Sequence, residues 1–119
     1  KDSMLNLIRI YNLEHRVEII EGDATKTIPE YFNENNPILV SLAYFDFDLY
    51  EPTKIAYQYI KKHLVKGSTL AFDEGLDRDL WLGECKVVRE ILNDQYFMGR
   101  ITAIPNKISR QPEIVLKLN

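Results

Sequence analysis

Pro37-Ile38-Leu39-Val40-Ser41-Leu42-Ala43-Tyr44-Phe45 is an almost unbroken apolar run, and Asp46-Phe47-Asp48 ends it abruptly. A strand with one wet face alternates apolar and polar side chains. A continuous apolar run suits a strand covered on both faces, as in a parallel sheet. The run is therefore expected to be the central strand of an α/β fold. Upstream, Arg16-Val17-Glu18-Ile19-Ile20-Glu21 is short, β-branched and stopped by Gly22-Asp23-Ala24; downstream, Ser68-Thr69-Leu70-Ala71-Phe72 reads as the next strand.

Helical patterns fill the intervals. Met4, Leu5, Ile8 and Tyr11 recur behind Asp2 or Ser3 as a cap, which predicts a helix over 3–13. Thr27 and Glu30 read as a capping box around Pro29, opening a helix over 28–34. Pro52 opens another, with Ile55, Ala56, Tyr59 and Ile60 on one face, Lys61, Lys62 and His63 near its C-terminus and Gly67 past its end. Asp77 or Asp79 caps a fourth, whose Trp81, Cys85, Val88 and Leu92 share a face. Ile101-Thr102-Ala103 and Glu113 to Leu118 are spaced as an antiparallel pair. Strands alternating with helices predict an α/β fold in three layers, its sheet mostly parallel, with an antiparallel C-terminal strand pair.

At 119 residues the chain is short enough for a single domain, 1–119, against roughly 100 to 200 residues per domain. Its 45% hydrophobic and 28% charged residues exclude fibrous and disordered classes. A net charge of -3 lacks the basic field of a nucleic-acid binder, so nucleic acid is not an expected partner. The longest charge-free stretch, 35–45, falls short of the roughly 20 residues that a membrane helix needs, and no membrane partner is expected. The one cysteine, Cys85, rules out an intrachain disulfide and points to a reducing, cytoplasmic setting. The opening Lys1-Asp2-Ser3 enters directly into an amphipathic pattern, so preceding βα units are expected to lie upstream.

In an open parallel sheet, ligands bind outside the carboxyl ends of the strands. Here the first strand ends in Gly22-Asp23, the second in Asp46-Phe47-Asp48 and the third in Asp73-Glu74. Neighbouring strands lie about 4.8 Å apart, so Asp46 and Asp73 are expected to converge, and a hard cation such as Mg2+ would relieve their repulsion. Asp46 and Asp48, two apart in an extended segment, would point the same way, one for metal and one for a proton. Acids after strands also serve as caps and turn formers, and that reading stays open for each of them.

Four segments, Ile20-Glu21-Gly22-Asp23-Ala24, Tyr44-Phe45-Asp46-Phe47-Asp48-Leu49-Tyr50-Glu51-Pro52-Thr53, Leu64-Val65-Lys66-Gly67-Ser68 and Leu70-Ala71-Phe72-Asp73-Glu74-Gly75, together resemble class I S-adenosylmethionine-dependent methyltransferases. The branch they are most similar to is the macrocin O-methyltransferase family, which modifies hydroxyls of antibiotic sugars. The match runs from residue 15 to about 93 and corresponds to the C-terminal two-thirds of the Rossmann-like domain. The resemblance implies Asp46, Asp73 and Glu74 as Mg2+ ligands and Asp48 as the catalytic base. It implies Asp23, Ala24 and Thr25 around the adenine of S-adenosylmethionine, with Asp46 and Phe47 beside them. Two positions depart from the family: Asp73-Glu74 stands where Asp-Asp is usual, and Ser68 replaces the second glycine of a Gly-Gly pair.

The five glycines form no GxGxG, so the phosphate-type loop and the ribose-binding acid of such a site are expected upstream, and this chain alone is expected to be inactive. His15 and His63 have no Ser or Cys partner pattern around them, and Cys85 lies on an apolar helical face. Tyr50 and Trp81 follow strand ends and suit either packing or the wall of an acceptor pocket. The leading reading is metal-assisted O-methylation of a hydroxyl on a sugar or other small molecule. The other is a non-catalytic methyltransferase-fold domain serving in assembly or small-molecule binding. The sequence leaves a homo-oligomer open. A receiver-like phosphoacceptor domain is disfavoured, because the paired acid and the lysine it needs at strand ends are absent.

Overall fold

The computed structural model describes residues 1–76, 83–106 and 110–119. Four strands, β1 (Val40–Phe45), β2 (Leu64–Phe72), β3 (Ile101–Pro105) and β4 (Ile114–Leu118), form one sheet in the order β1-β2-β4-β3. β1 and β2 are parallel, β4 runs antiparallel to β2, and β3 pairs antiparallel with β4. The sheet is mixed, with the antiparallel pair where the sequence places it. Among the described residues, four α-helices accompany it: α1 (Asp2–Ile10), α2 (Ala24–Glu34), α3 (Tyr50–Ile60) and α4 (Glu84–Leu92). No helix among the described residues is long and apolar enough to cross a membrane.

The core lies between one sheet face and two helices. Phe45, Leu70, Phe72, Ile114, Leu116 and Leu118 project from the sheet onto Ala56, Tyr57 and Ile60 of α3 and Val87, Val88 and Ile91 of α4. The side-chain period of two sends Leu42 and Tyr44 to the other face, where they are exposed. At the ends of the parallel pair the Phe45 and Phe72 rings stack, with centroids 4.5 Å apart and planes 4° from parallel. Both rings are fully buried, and each immediately precedes an acid of the strand-end cluster.

Several local expectations need correction. Residues 16–21 form no strand, and Val17 and Ile20 are exposed: a strand exists only with a partner, and none among the described residues pairs with this segment. For the same reason β1 begins at Val40 and, among the described residues, lies at the sheet edge instead of being buried on both faces. Helix α1 carries no side-chain cap from Asp2 or Ser3. It ends when Asn12 enters the left-handed region (φ 53°), with Leu13 N–H donating to Ile8 O and Asn12 N–H to Arg9 O. Helix α2 starts at Ala24, ahead of the Thr27 box, because Asp23 caps it: Asp23 Oδ1 accepts from Thr25 N–H at 3.0 Å. The buried face of α4 is Glu84, Cys85, Val87, Val88 and Ile91, while Leu92 is exposed. Asp77, Asp79 and Trp81 lie outside the described residues.

Gly67 ends no helix. A 3-10 turn, Lys61–His63, closes α3, and β2 begins at Leu64. Val40 pairs with Leu64 and Leu42 with Thr69, so β2 has a bulge of extra residues there, with Gly67 at φ 91°. Buried Ser68 closes it, its hydroxyl donating to Val40 O at 2.7 Å and accepting from Val65 N–H at 2.8 Å. This accounts for serine where a glycine is usual: the hydroxyl satisfies two backbone groups that the bulge removes from the ladder. Ser68→Ala leaves both without that partner and is expected to destabilise the full-length protein by about 1–3 kcal/mol. Urea unfolding monitored by circular dichroism measures the change.

Candidate active site at the carboxyl ends of the parallel strands

The stacked Phe45 and Phe72 bring the following residues, Asp46 and Asp73, to the same sheet edge. Asp73 N–H donates to Phe45 O at 2.9 Å, extending the parallel ladder one residue past the strands. The Asp73 charge raises the Asp46 pKa above the ordinary carboxylate range, with burial and Asp48 adding to the shift. Asp73 is buried and accepts from Tyr44 Oη at 2.5 Å (through Oδ1) and from Gln111 Nε2 at 2.7 Å (through Oδ2). This hydrogen bond, with burial and the Asp73 charge, pushes the Tyr44 hydroxyl up to about 12.

Asp48 does not continue an extended segment. Its φ of 60° puts it in the left-handed region, so the inference that Asp46 and Asp48 point the same way from strand geometry fails. The turn nonetheless brings their oxygens together: Asp46, Asp48 and Glu84 each offer a carboxylate oxygen within 4.8 Å of the others. Asp46 and Asp48 are exposed, whereas Glu84 is 1% exposed. The Glu84 oxygens are already engaged, Oε1 accepting from Phe47 N–H (2.8 Å) and Asp48 N–H (3.1 Å) and Oε2 from Glu74 N–H (2.9 Å). Glu74 is half-buried, and burial raises its pKa, helped by the charges of Asp48, Glu84, Asp73 and Glu113. A group of carboxylates this poor in positive charge is suited to a hard divalent cation. Asp46 is the one residue common to the pair with Asp73 and to the close trio.

The remaining expected site residues are placed as follows. Asp23, Ala24 and Thr25 form the start of α2, and Thr25 Oγ1 also donates to Asp23 Oδ1 at 2.7 Å, which with the Thr25 N–H lowers the Asp23 pKa. Ala24 borders a hollow of about 260 Å³ shared with Ile20, Gly22, Ile28 and Phe32. Phe47 is half-buried and packs against the core. His63 is structural, its Nδ1 2.9 Å from Ile38 O and its ring against Phe32. Tyr50 braces α3 against α4, its hydroxyl donating to Glu90 Oε1 and accepting from Lys54 Nζ, both at 2.6 Å. Sequence reasoning missed Glu84, Tyr44 and Gln111. Glu84 looks like any acid in the first turn of a helix, and Tyr44 like one more member of an apolar strand.

Because Asp46 and Glu74 have raised pKa values, the folded chain binds their protons more tightly than the unfolded chain does. The stability linked to that preference is complete below the ordinary carboxylate pKa and is lost as pH rises through the raised values. In chelator at neutral pH, Asp46→Asn is therefore expected to raise the thermal unfolding midpoint of the full-length protein. The gain should vanish below about pH 4, where the carboxyl groups are neutral. Scanning calorimetry of parent and variant across that range measures it.

Solved structures provide the comparison. The chain superposes on a calicheamicin methyltransferase, CalS11, with a TM-score of 0.65 and 37% identity, covering 83% of this chain and 36% of that one. The apo structure of CalS11, described as a TDP-rhamnose 3'-O-methyltransferase of calicheamicin biosynthesis, gives a TM-score of 0.71 at 32% identity, covering 98% of this chain and 49% of that one. A proposed rRNA methylase from Clostridium thermocellum, 18% identical with a TM-score of 0.58 over 94% of this chain and 61% of that one, shares the fold. No protein-family model matches the chain, and no curated protein matches it. The chain spans less than half the length of either CalS11 structure. Its α/β architecture, the order of its motifs and these likenesses place it with the class I S-adenosylmethionine-dependent methyltransferases, as a sugar O-methyltransferase-like chain.

Proposed function

We propose that the protein transfers a methyl group from S-adenosylmethionine to a hydroxyl of a sugar or other small molecule, with assistance from a divalent cation. The observation that carries this reading is the convergence of Asp46 and Asp73 at the carboxyl ends of neighbouring parallel strands, in a chain 37% identical to CalS11. The description of CalS11 as a TDP-rhamnose 3'-O-methyltransferase supports the acceptor class. A nucleic-acid acceptor is disfavoured because the acidic edge would repel a phosphate backbone. A cytoplasmic setting fits a chain whose single cysteine, buried Cys85, forms no disulfide.

Asp46 and Asp73 would hold Mg2+, with Glu74 alongside. The donor set fits: it consists of hard oxygens, and a cation would offset the repulsion that raises Asp46. Bound there, the ion would lower the pKa of an acceptor hydroxyl. Asp23, Ala24 and Thr25 would border the adenine of the cofactor, where the hollow lined by Ile20, Ala24, Ile28 and Phe32 is largely apolar and suits a flat ring. The cofactor supplies the electrophilic methyl group, so the chain's own tasks are alignment and proton removal. Asp48 is exposed and beside Asp46, and its carboxylate takes the hydroxyl proton. Tyr44 and Gln111, through Asp73, orient one of the proposed ligands.

Full-length protein assayed with S-adenosylmethionine and nucleotide-sugar acceptors tests the reading. Turnover is expected to need Mg2+ and to stop with chelator or with Asp46→Ala. Asp48→Asn is expected to lower kcat by about 10² to 10⁴ with cofactor affinity little changed. Normal turnover in chelator would refute the metal role, and a near-normal kcat for Asp48→Asn would make that residue structural.

A further inference from the structure

We propose that Gly83 and Glu84 form a clamp that positions Asp48 and ties the loops after β1 and β2 together, making Glu84 a positioning residue for the reaction. The proposal rests on the function given above. Three features of the structure converge on it.

First, Glu84 is a carboxylate 1% exposed at the first position of α4, an expensive place for a charge unless it is fully hydrogen-bonded. It accepts three backbone N–H groups, those of Phe47 and Asp48 after β1 and of Glu74 after β2. One side chain thereby fixes two loops that the sheet itself no longer pairs.

Second, the preceding residue, Gly83, packs against the carbonyl of the same residue, Asp48. A Cβ built on Gly83 would lie 1.9 Å from Asp48 O, so only glycine permits this approach. The Asp48 backbone is thus held by its N–H on Glu84 and by its carbonyl against Gly83.

Third, Asp48 has φ 60°, the left-handed region, which is uncommon for a residue with a Cβ although Asp enters it more readily than most. The clamp holds it there, with the carboxylate of Asp48 beside that of Asp46. Glu84 lies within 4.8 Å of both, yet both its oxygens already accept backbone N–H groups, so its role is to place acids rather than to join them as a cation ligand.

Two measurements on the full-length protein test this. Amide hydrogen exchange on the parent needs no variant: the N–H groups of Phe47, Asp48 and Glu74 should exchange at least about tenfold more slowly than exposed loop amides. Rates typical of open loops at all three would overturn the clamp whether or not the protein proves to be a methyltransferase. In Glu84→Gln, one amide oxygen can keep Phe47 and Asp48, but the nitrogen cannot accept from Glu74. Exchange at Glu74 should then rise while β4 amides stay unchanged. The kcat should fall about tenfold to a hundredfold, with KM for cofactor and acceptor within about twofold of the parent. Gly83→Ala should lower kcat in the same way without removing a charge. Parent kcat in both variants would refute the positioning role. A fall confined to Mg2+ affinity in Glu84→Gln, with exchange unaltered, would make Glu84 a cation ligand instead. Absence of methyl transfer by the parent would count against the proposed function, and exchange would still decide the clamp.

Discussion

The parallel pairing of β1 with β2, locked by the stacked Phe45 and Phe72 rings, is the constraint on which the site depends. A parallel pair in register delivers the next residue of each strand to one edge, and here both are aspartates. Their repulsion is the consequence of a rigid framework, because the buried rings and the Asp73 N–H to Phe45 O bond prevent the carboxylates from separating. The core thus maintains an unfavourable arrangement at its rim, which is the usual relation between a packed scaffold and a site poised for a ligand.

The acids at that rim divide by what their oxygens already do. Glu84 is buried and accepts three backbone N–H groups, so it organises loops. Asp73 is buried but holds one partner on each oxygen, Tyr44 and Gln111, which orient it without exhausting its lone pairs. Asp46 and Asp48 are exposed and face other carboxylates. The division separates a loop-organising acid, an oriented acid and two available acids at one edge, and it follows from burial and partners rather than from residue type.

The apolar run ending in Asp46-Phe47-Asp48 and the run ending in Asp73 were enough to place both acids at one edge, because strand direction and spacing follow from pattern. The late antiparallel pair was legible for the same reason. What the pattern could not reveal depended on partners distant in sequence. Residues 16–21 have the composition of a strand but no ladder, and 37–45 lost its first three residues and its second covered face to the same cause. The bulge at Ser68 and the left-handed turn at Asp48 are set by contacts with Val40 and with Gly83-Glu84, respectively 28 and 36 residues away along the chain from Ser68 to Val40 and from Asp48 to Glu84. Asn12 and Asp23, which end one helix and start another, are local signals that were present in the sequence and were read as something else.

The central claim is that the edge where β1 and β2 end is a divalent-cation site beside a proton acceptor. The most direct measurement is anomalous diffraction from crystals of the full-length protein grown with Mn2+ as a stand-in for Mg2+. The account predicts a single strong peak in contact with carboxylate oxygens of Asp46 and Asp73, with Asp48 close by and Glu84 still turned to the N–H groups of Phe47, Asp48 and Glu74. A map with no peak at that edge in saturating Mn2+, or with the ion held elsewhere, would contradict it.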